Sequence, residues 1–204
     1  MPASFERILF EDVPGLAYYP WFVDSERQAA LKRFIDGFDE SSWVPDFKRR
    51  KLCFGYRYDY ARRSITASLD QLPLALKELA LDLCVSEVMS SMADQAIVNE
   101  YRPGQGISRH IDAACFGPEI VSVSLGSSCV MRFRKRRGGP GPALDLLLEP
   151  GSVVLMAGLA RASFTHEIPG RLKDVIGGNV HVRGTRLSVT FRTVISAADH
   201  TTRT

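Results

Sequence analysis

The chain has 204 residues, of which 45% are hydrophobic and 24% are charged. This length and these proportions predict one globular domain (1–204) with a sizeable core. No apolar run reaches the roughly 20 residues of a membrane-spanning helix, which excludes an integral helical membrane protein. The N-terminus carries charges where a signal peptide has its apolar centre, so we expect a cytoplasmic protein. We also expect the protein to be a monomer.

The four cysteines are widely spaced and form no C-x-x-C pair, so neither a zinc ribbon nor a disulfide framework is predicted. The formal net charge is only +3, but basic residues cluster in two runs, KRRK at 48–51 and RFRKRR at 132–137. Two such runs in a nearly neutral chain favour a polyanionic partner, with plain solvated surface as the alternative.

The first part of the chain predicts helices among short strands. An apolar stretch at 16–22 indicates a short strand. Asp24 or Ser25 can cap a helix that runs to about Gly37, and a second helix is predicted over 73–92.

Residues 51–60 (KLCFGYRYDY) alternate, with Phe54, Tyr56, Tyr58 and Tyr60 on one face. This pattern predicts a strand or hairpin arm with an aromatic face. That face either packs on the core or, beside a basic run, stacks on nucleic-acid bases. The candidate substrate-binding residues are Trp43, Phe54, Tyr56, Arg49 and Arg50.

From residue 95 the pattern changes to short apolar runs split by Gly, Pro and charged turns. The runs lie at 96–101, 120–125, 129–133, 143–148, 152–156 and 187–193. Strands at this spacing predict a sandwich or barrel, and a jelly roll is compatible. The expected class is therefore α+β, with an N-terminal helical part (1–94) on a β core (95–194) and a frayed tail (195–204).

The stretch 99–112, NEYRPGQGISRHID, ends in His110 and Asp112, one residue apart. If that end is extended, the period of two places both side chains on the same face. An imidazole and a carboxylate side by side supply two of the three ligands of the two-His-one-carboxylate face that non-haem Fe(II) oxygenases use.

The third ligand must come from elsewhere in the chain. His200 lies in the frayed tail, which leaves His166 and His181. His166 follows a strand-like stretch at 161–165, whereas His181 sits in a polar, Gly-rich loop. A ligand needs a rigid support, so His166 is favoured, with His181 at the rim and the Cys115 thiolate as a weaker alternative ligand.

Arg186 and Arg192 flank the segment RLSVTFR and share a parity if it is extended. Two arginines on the inward face of a strand are costly unless an anion lies there. A dicarboxylate fits, because the arginine fork binds a carboxylate bidentately. The alternative is a pair of surface arginines on an edge strand.

The order of these motifs resembles the AlkB family of 2-oxoglutarate- and Fe(II)-dependent dioxygenases. The resemblance covers about 99–194 and is carried by NEYRPGQGISRHID, VSVSLGSSCVMRF, EPGSVVLM, FTHEI and RLSVTFR. KRRKLCFGYRYDY resembles the family's nucleotide-recognition lid. The resemblance implies a double-stranded β-helix and an oxidoreductase that uses Fe(II), 2-oxoglutarate and O2.

The resemblance also implies roles for individual residues. The implied iron ligands are His110, Asp112 and His166. Arg186 is implied to bind the distal carboxylate of 2-oxoglutarate, and Arg192 to lie near its keto-acid end. Asn99 and Tyr101 match the residues that hydrogen-bond the co-substrate from the other side.

The implied substrate is an alkylated or modified base in single-stranded DNA or RNA, tRNA included, which the enzyme demethylates or hydroxylates. One departure concerns Ala114, because base-repair members commonly carry an acid two positions after the metal aspartate. HID and GYRYDY look closer to the subgroup that hydroxylates a wobble uridine in tRNA. A protein or small-molecule oxygenase of the same family is the other alternative.

Overall fold

The computed structural model describes residues 5–46, 49–59, 64–68, 71–136 and 143–195. In this part of the chain, the two main β-sheets enclose one apolar cluster, and helices pack over a second apolar cluster on the outer face of the larger sheet. The predicted α+β class with a jelly-roll core is confirmed. No helix of the described residues has the length and apolar character needed to cross a membrane.

The helices are α1 (Ser25–Asp36), α2 (Leu74–Val85) and α3 (Gly158–Ala162), with a 3-10 turn at Glu40–Ser42. The strands are β1 (Ile8–Leu9), β2 (Leu16–Tyr19), β3 (Val44–Asp46), β4 (Arg49–Asp59), β5 (Ser64–Ser68), β6 (Gln95–Tyr101), β7 (Ile107–His110), β8 (Phe116–Gly126), β9 (Cys129–Lys135), β10 (Leu144–Leu148), β11 (Val153–Met156), β12 (Phe164–Ile168), β13 (Lys173–Ile176), β14 (Asn179–Val182) and β15 (Arg186–Val194).

The large sheet runs in the order β1-β2-β11-β8-β15-β6-β4-β3, with β5 paired to β4. The small sheet runs β10-β9-β12-β7, and β13 and β14 form a separate hairpin. Strands from both halves of the sequence meet in the large sheet, since β2 pairs with β11 and β4 pairs with β6. The N-terminal part therefore contributes strands as well as helices.

Helix α1 follows the sequence prediction. The Asp24 side chain accepts a hydrogen bond from the Arg27 N–H at 2.8 Å, and Gly37 forms the C-cap. Leu31 and Ile35 are buried against the large sheet. Burying each such side chain stabilises the fold by about 1.5–3 kcal/mol.

Helix α2 is shorter than predicted, because it ends at Val85 rather than near residue 92. Glu87 takes a positive φ of 56°. The backbone N–H groups of Val88 and Met89 then both donate to the carbonyl of Leu83. Val88 and Met89 are buried as predicted, but they pack from this turn and not from a continuing helix.

Alternation along β15 divides the large sheet into two environments. Leu187, Val189 and Phe191 belong to the core cluster under the helices. Arg186 and Arg192 take the opposite parity and face the small sheet, and this side is called the inner face here. The predicted parity of the RLSVTFR segment therefore places both arginines inside the jelly roll.

Candidate active site

His110, Asp112 and His166 converge at one end of the two sheets, where one ligand atom of each lies within 4.8 Å of the others. His110 ends β7, and His166 lies in the middle of the neighbouring strand β12. Their Cα atoms are direct partners in the antiparallel ladder, which places both rings on one face. The ring centroids are 4.2 Å apart. Asp112 follows two residues after the end of β7, in a segment without regular secondary structure.

Arg161 holds that segment. Its Nη1 donates to the carbonyl of Asp112 at 2.9 Å, and its Nη2 donates to the carbonyl of Ala113 at 2.7 Å. Arg161 belongs to α3, so the strand predicted over 161–165 is wrong; the strand begins at Phe164. This residue was missed because a helix of five residues leaves no periodic signal in the sequence.

The protonation states of the cluster suit a divalent cation. Burial lowers the pKa of His166 to about 4, despite the opposing charge of Asp112, so this ring is neutral near pH 7. Burial raises the pKa of Asp112, but the charge of Arg192, followed by His166, His110 and Arg161, outweighs it and leaves the pKa below its usual value. The site therefore presents a neutral imidazole and a carboxylate, as a metal requires.

His110 is oriented by its own strand. Its Nδ1 lies 2.8 Å from the carbonyl oxygen of Ser108, which can only accept, so Nδ1 is the donor and Nε2 is the nitrogen left to bind a metal. A second partner of this kind fixes the tautomer of metal-binding histidines. Two nitrogens and one carboxylate on one face are the donor set of non-haem Fe(II) sites, so these residues fit the ion.

Arg186 marks a second part of the site. It is 2% exposed, and its Nη2 donates to Ser124 Oγ at 2.9 Å. Its Nε and Nη1 are buried, and neither has a hydrogen-bond partner among the described residues. A buried guanidinium with unused donors costs several kcal/mol, and a bound anion offsets that cost. The residue thus fits the distal carboxylate of 2-oxoglutarate.

Asn99 and Tyr101 line the same inner face on β6. Tyr101 is the ladder partner of Arg186, whose guanidinium carbon lies 5.5 Å from the tyrosine ring centroid. Asn99 is the ladder partner of Ser188, and its Oδ1 accepts a hydrogen bond from Arg49 Nε at 2.9 Å. The structure therefore places Asn99 and Tyr101 on the same inner face as the buried guanidinium of Arg186.

Arg192 connects the two parts of the site. Its Nη1 lies 3.2 Å from Oδ1 of Asp112, and its guanidinium lies 4.1 Å from the ring centroid of Phe116. His166 Nε2 lies 3.5 Å from Oδ2 of the same aspartate. The Asp112 carboxylate is thus held between a cation on the large sheet and a ring on the small sheet.

The structure corrects the placement of three predicted substrate residues. Trp43 is buried under the helices, with the guanidinium of Arg50 4.2 Å from its ring centroid. Arg50 also forms a bidentate ion pair with Glu100. Phe54 packs against Phe38, with ring centroids 5.4 Å apart. All of these contacts lie on the helix-covered face of β4, away from the histidine cluster.

The physical reason is the parity of β4. Lys51 and Cys53 are the ladder partners of Asn99 and Ile97, so they take the inner face and their neighbours face the helices. Gly55, at φ +75°, then breaks the alternation on which one shared aromatic face depended. Tyr60 lies outside the described residues, and Tyr58 is described only by its backbone.

Arg49 and Tyr56 remain near the inner face. Arg49 bonds Asn99 and lies 6.0 Å from the Tyr101 ring centroid. Tyr56 is half-buried, and its carbonyl accepts a hydrogen bond from the side chain of Gln95. Lys51 was not among the predicted site residues, although it also lies on the inner face. The signal available in the sequence was its position two residues after Arg49 in the basic run.

Among the described residues, no other histidine or cysteine belongs to the group of candidate metal ligands. His181 lies in strand β14, not in a loop as predicted, and it is not part of the group of candidate metal ligands in the described chain. His200 lies outside the described residues. Cys115 is half-buried and free, as are Cys53 and Cys84, while Cys129 is buried and free.

Comparison with known proteins places this geometry in a family. The family model described as "2OG-Fe(II) oxygenase superfamily" matches residues 24–192. "Uncharacterized protein L905" of Acanthamoeba polyphaga mimivirus is 32% identical over 96% of this chain and 92% of its own length. The "tRNA (carboxymethyluridine(34)-5-O)-methyltransferase alkbh8" of Xenopus tropicalis is 33% identical over 93% of this chain.

The chain spans only 34% of the length of that Xenopus protein. Among solved structures, "The structure of OsALKBH1" superposes with a TM-score of 0.69 at 17% identity, covering 92% of this chain and 100% of the other, which shows the shared fold. The chain belongs to the 2OG-Fe(II) oxygenase superfamily and, within it, to the AlkB-like dioxygenases.

Proposed function

We propose that this chain oxidises alkylated or otherwise modified bases in single-stranded nucleic acid, with Fe(II) held by His110, Asp112 and His166. The observation that carries this proposal is the convergence of the three ligand atoms within 4.8 Å, facing a sheet that holds a buried, partly unpartnered Arg186. Bound there, the ion and 2-oxoglutarate would supply the activation of O2 that oxidises a substrate C–H bond, with release of succinate and CO2.

The protein's own residues supply position and charge for this chemistry. Arg186 neutralises the distal carboxylate of 2-oxoglutarate with donors that are otherwise unused. Asn99 and Tyr101 bound the same space on the neighbouring strand. Arg192 stays in contact with Asp112, which keeps this carboxylate ionised and oriented towards the cluster.

The nucleic-acid part of the proposal is supported by the basic inner edge of β4. Arg49 lies on this face, is only half-buried, and is positioned by its hydrogen bond to Asn99. Cationic side chains beside an oxidation site suit a substrate with a phosphate backbone. A base must leave the stack, or be single-stranded already, to reach the buried cluster.

Transfer RNA is a specific candidate substrate. The relative from Xenopus tropicalis that matches 93% of this chain is named for an activity on a tRNA uridine. The absence of an acid at Ala114 is consistent with a base that is not a methylated cation. A chain that acts on tRNA is expected to bind it more weakly as salt increases.

The test is a succinate and formaldehyde assay on a panel of methylated single-stranded DNA, methylated RNA and bulk tRNA. Each substrate is assayed with and without 2-oxoglutarate. We expect product with at least one nucleic acid, and its loss in His110→Ala and Asp112→Ala. Succinate production that is unchanged in either variant would overturn the ligand assignment, and no product with any nucleic acid would overturn the substrate class.

A further inference from the structure

Gln95 begins β6 and lies on the inner face of the large sheet. It is the ladder partner of Arg192 on β15 and of Gly55 on β4. Because alternate residues of a strand share a face, its side chain is directed to the same side as those of Asn99 and Tyr101. Since Arg192 contacts the proposed iron ligand Asp112, Gln95 occupies the row of inner-face residues nearest to the proposed iron site.

The two polar atoms of the Gln95 amide are used unequally. Its Nε2 donates to the backbone carbonyl of Tyr56 at 2.6 Å, which fixes the amide plane and assigns Oε1 as the free end. The residue is 1% exposed, and within the described part of the chain its Oε1 has no hydrogen-bond partner. An unpaired buried acceptor costs about 1–3 kcal/mol, so its retention calls for an explanation.

Arg186 also has buried polar atoms without a hydrogen-bond partner among the described residues, but they are donors. Arg186 is buried on the inner face, and its donors suit the anionic co-substrate. The Gln95 Oε1 is an acceptor and cannot serve a carboxylate or a phosphate. Its partner must bring an N–H or O–H group, so it belongs to a different ligand from the one that Arg186 fits.

The charges around Gln95 limit what this ligand can be. Arg192, the ladder partner of Gln95 on β15, carries a positive charge on the same inner face. A base with a fixed positive charge is repelled there.

We propose that Gln95 determines which base is accepted, with its Oε1 receiving a hydrogen bond from an N–H of an uncharged base. This inference rests on the proposed function, because it requires a base to enter the site. It supplies a base-reading group in a chain where Ala114 has no acid. It also predicts that bases methylated into cations, such as 1-methyladenine, are poor ligands.

The experiment measures binding of short single-stranded RNAs by fluorescence anisotropy, with Mn(II) and 2-oxoglutarate present so that no turnover occurs. The RNAs carry one 5-methyluridine or one N6-methyladenosine, both uncharged with an N–H, or one 1-methyladenosine. We expect the unchanged chain to prefer the uncharged bases. Gln95→Ala is expected to weaken their binding about tenfold, as for loss of one buried hydrogen bond.

Gln95→Glu keeps an acceptor and adds a negative charge, so it is expected to shift the preference towards 1-methyladenosine by about tenfold or more. Gln28→Ala is the matched control, because Gln28 Nε2 also donates to a backbone carbonyl, that of Val23, but Gln28 belongs to helix α1 and not to the inner face. This control is expected to bind all the RNAs as the unchanged chain does. The affinity for 2-oxoglutarate is expected to stay the same in all three variants.

The two proposals fail in different ways. Equal affinity of Gln95→Ala and the unchanged chain for the uncharged bases would overturn the role of Gln95 while leaving the nucleic-acid substrate intact. A loss that extends equally to 2-oxoglutarate, with a lower melting temperature, would show a structural role through Tyr56 and would also overturn it. If the unchanged chain bound none of the RNAs and oxidised no nucleic acid, both proposals would be wrong.

Discussion

Arg186 Nη2 donates to Ser124 Oγ at 2.9 Å, and within the described part of the chain this is the one hydrogen bond of a guanidinium that is 2% exposed. Burying a cation with so few partners destabilises the folded chain without 2-oxoglutarate by several kcal/mol. A carboxylate that pairs with the remaining donors removes that cost. The affinity for 2-oxoglutarate and the stability of the fold are therefore linked at this residue.

The first prediction tests that link with Arg186→Met. Without 2-oxoglutarate, this variant is expected to melt at the same temperature as the unchanged chain or above it, because an unpaired buried charge is replaced by an apolar chain. With 2-oxoglutarate in excess, only the unchanged chain is expected to gain stability. Differential scanning calorimetry at several 2-oxoglutarate concentrations measures both effects, and a ligand-dependent shift that persists in Arg186→Met would contradict the assignment.

The second prediction concerns Arg161, a positioning residue that acts on the Asp112 segment through backbone carbonyls. Arg161→Lys keeps the charge but cannot span the carbonyls of Asp112 and Ala113 together. The segment is expected to loosen, and the affinity for Mn(II), measured by isothermal titration, to fall about tenfold. Arg33→Lys on the exposed side of α1 is the control. Unchanged metal affinity in Arg161→Lys would remove Arg161 from the site.

The third prediction follows from the corrected position of Trp43. Trp43→Phe leaves space in the core and removes part of the stacking on Arg50, so the melting temperature is expected to fall by several degrees. The affinity of the folded variant for single-stranded RNA is expected to be unchanged, because the ring faces the helices. A rise in the dissociation constant for RNA without loss of stability would show that Trp43 stacks on a base.

The contrast between β15 and β4 shows what the sequence could and could not predict. On β15 the two faces differ in chemistry, with Leu187, Val189 and Phe191 against arginines, so the inner face could be read from the alternation alone. On β4 both faces are covered, one by helices and one by the site, and aromatic or basic residues occur on each. Alternation then gives two sets of residues without saying which set faces the candidate metal ligands.

The convergence of His110, Asp112 and His166 was predictable because few histidines were available and each of the three residues lies on or beside a strand. The supporting contacts were not predictable. Arg161 reaches Asp112 from 49 positions away along the chain, and Gln95 matters through one unpaired oxygen. Such relationships depend on side-chain geometry between distant elements, which neither periodicity nor spacing encodes.

The last prediction is the pH dependence of one cross-strand ion pair on the small sheet. Arg132 and Asp145 are ladder partners on β9 and β10, and they form two hydrogen bonds of 2.6 Å. The side-chain hydrogen bond from Arg132 is the largest cause that lowers the pKa of Asp145 below its usual value. Because the folded pKa is the lower one, this pair stabilises the fold above the unfolded carboxyl pKa of about 3.9, and the contribution is lost as the pH falls through the folded value.

Asp145→Asn is therefore expected to lower the free energy of unfolding by about 1 kcal/mol at pH 7 and by less than that near pH 2. Urea unfolding at the two pH values measures the difference. Asp36→Asn is the control, because Asp36 pairs with Lys32 on the exposed surface of α1 and is expected to change stability little at either pH. An equal loss at pH 7 and pH 2 for Asp145→Asn would mean that the aspartate contributes by packing and not by its charge.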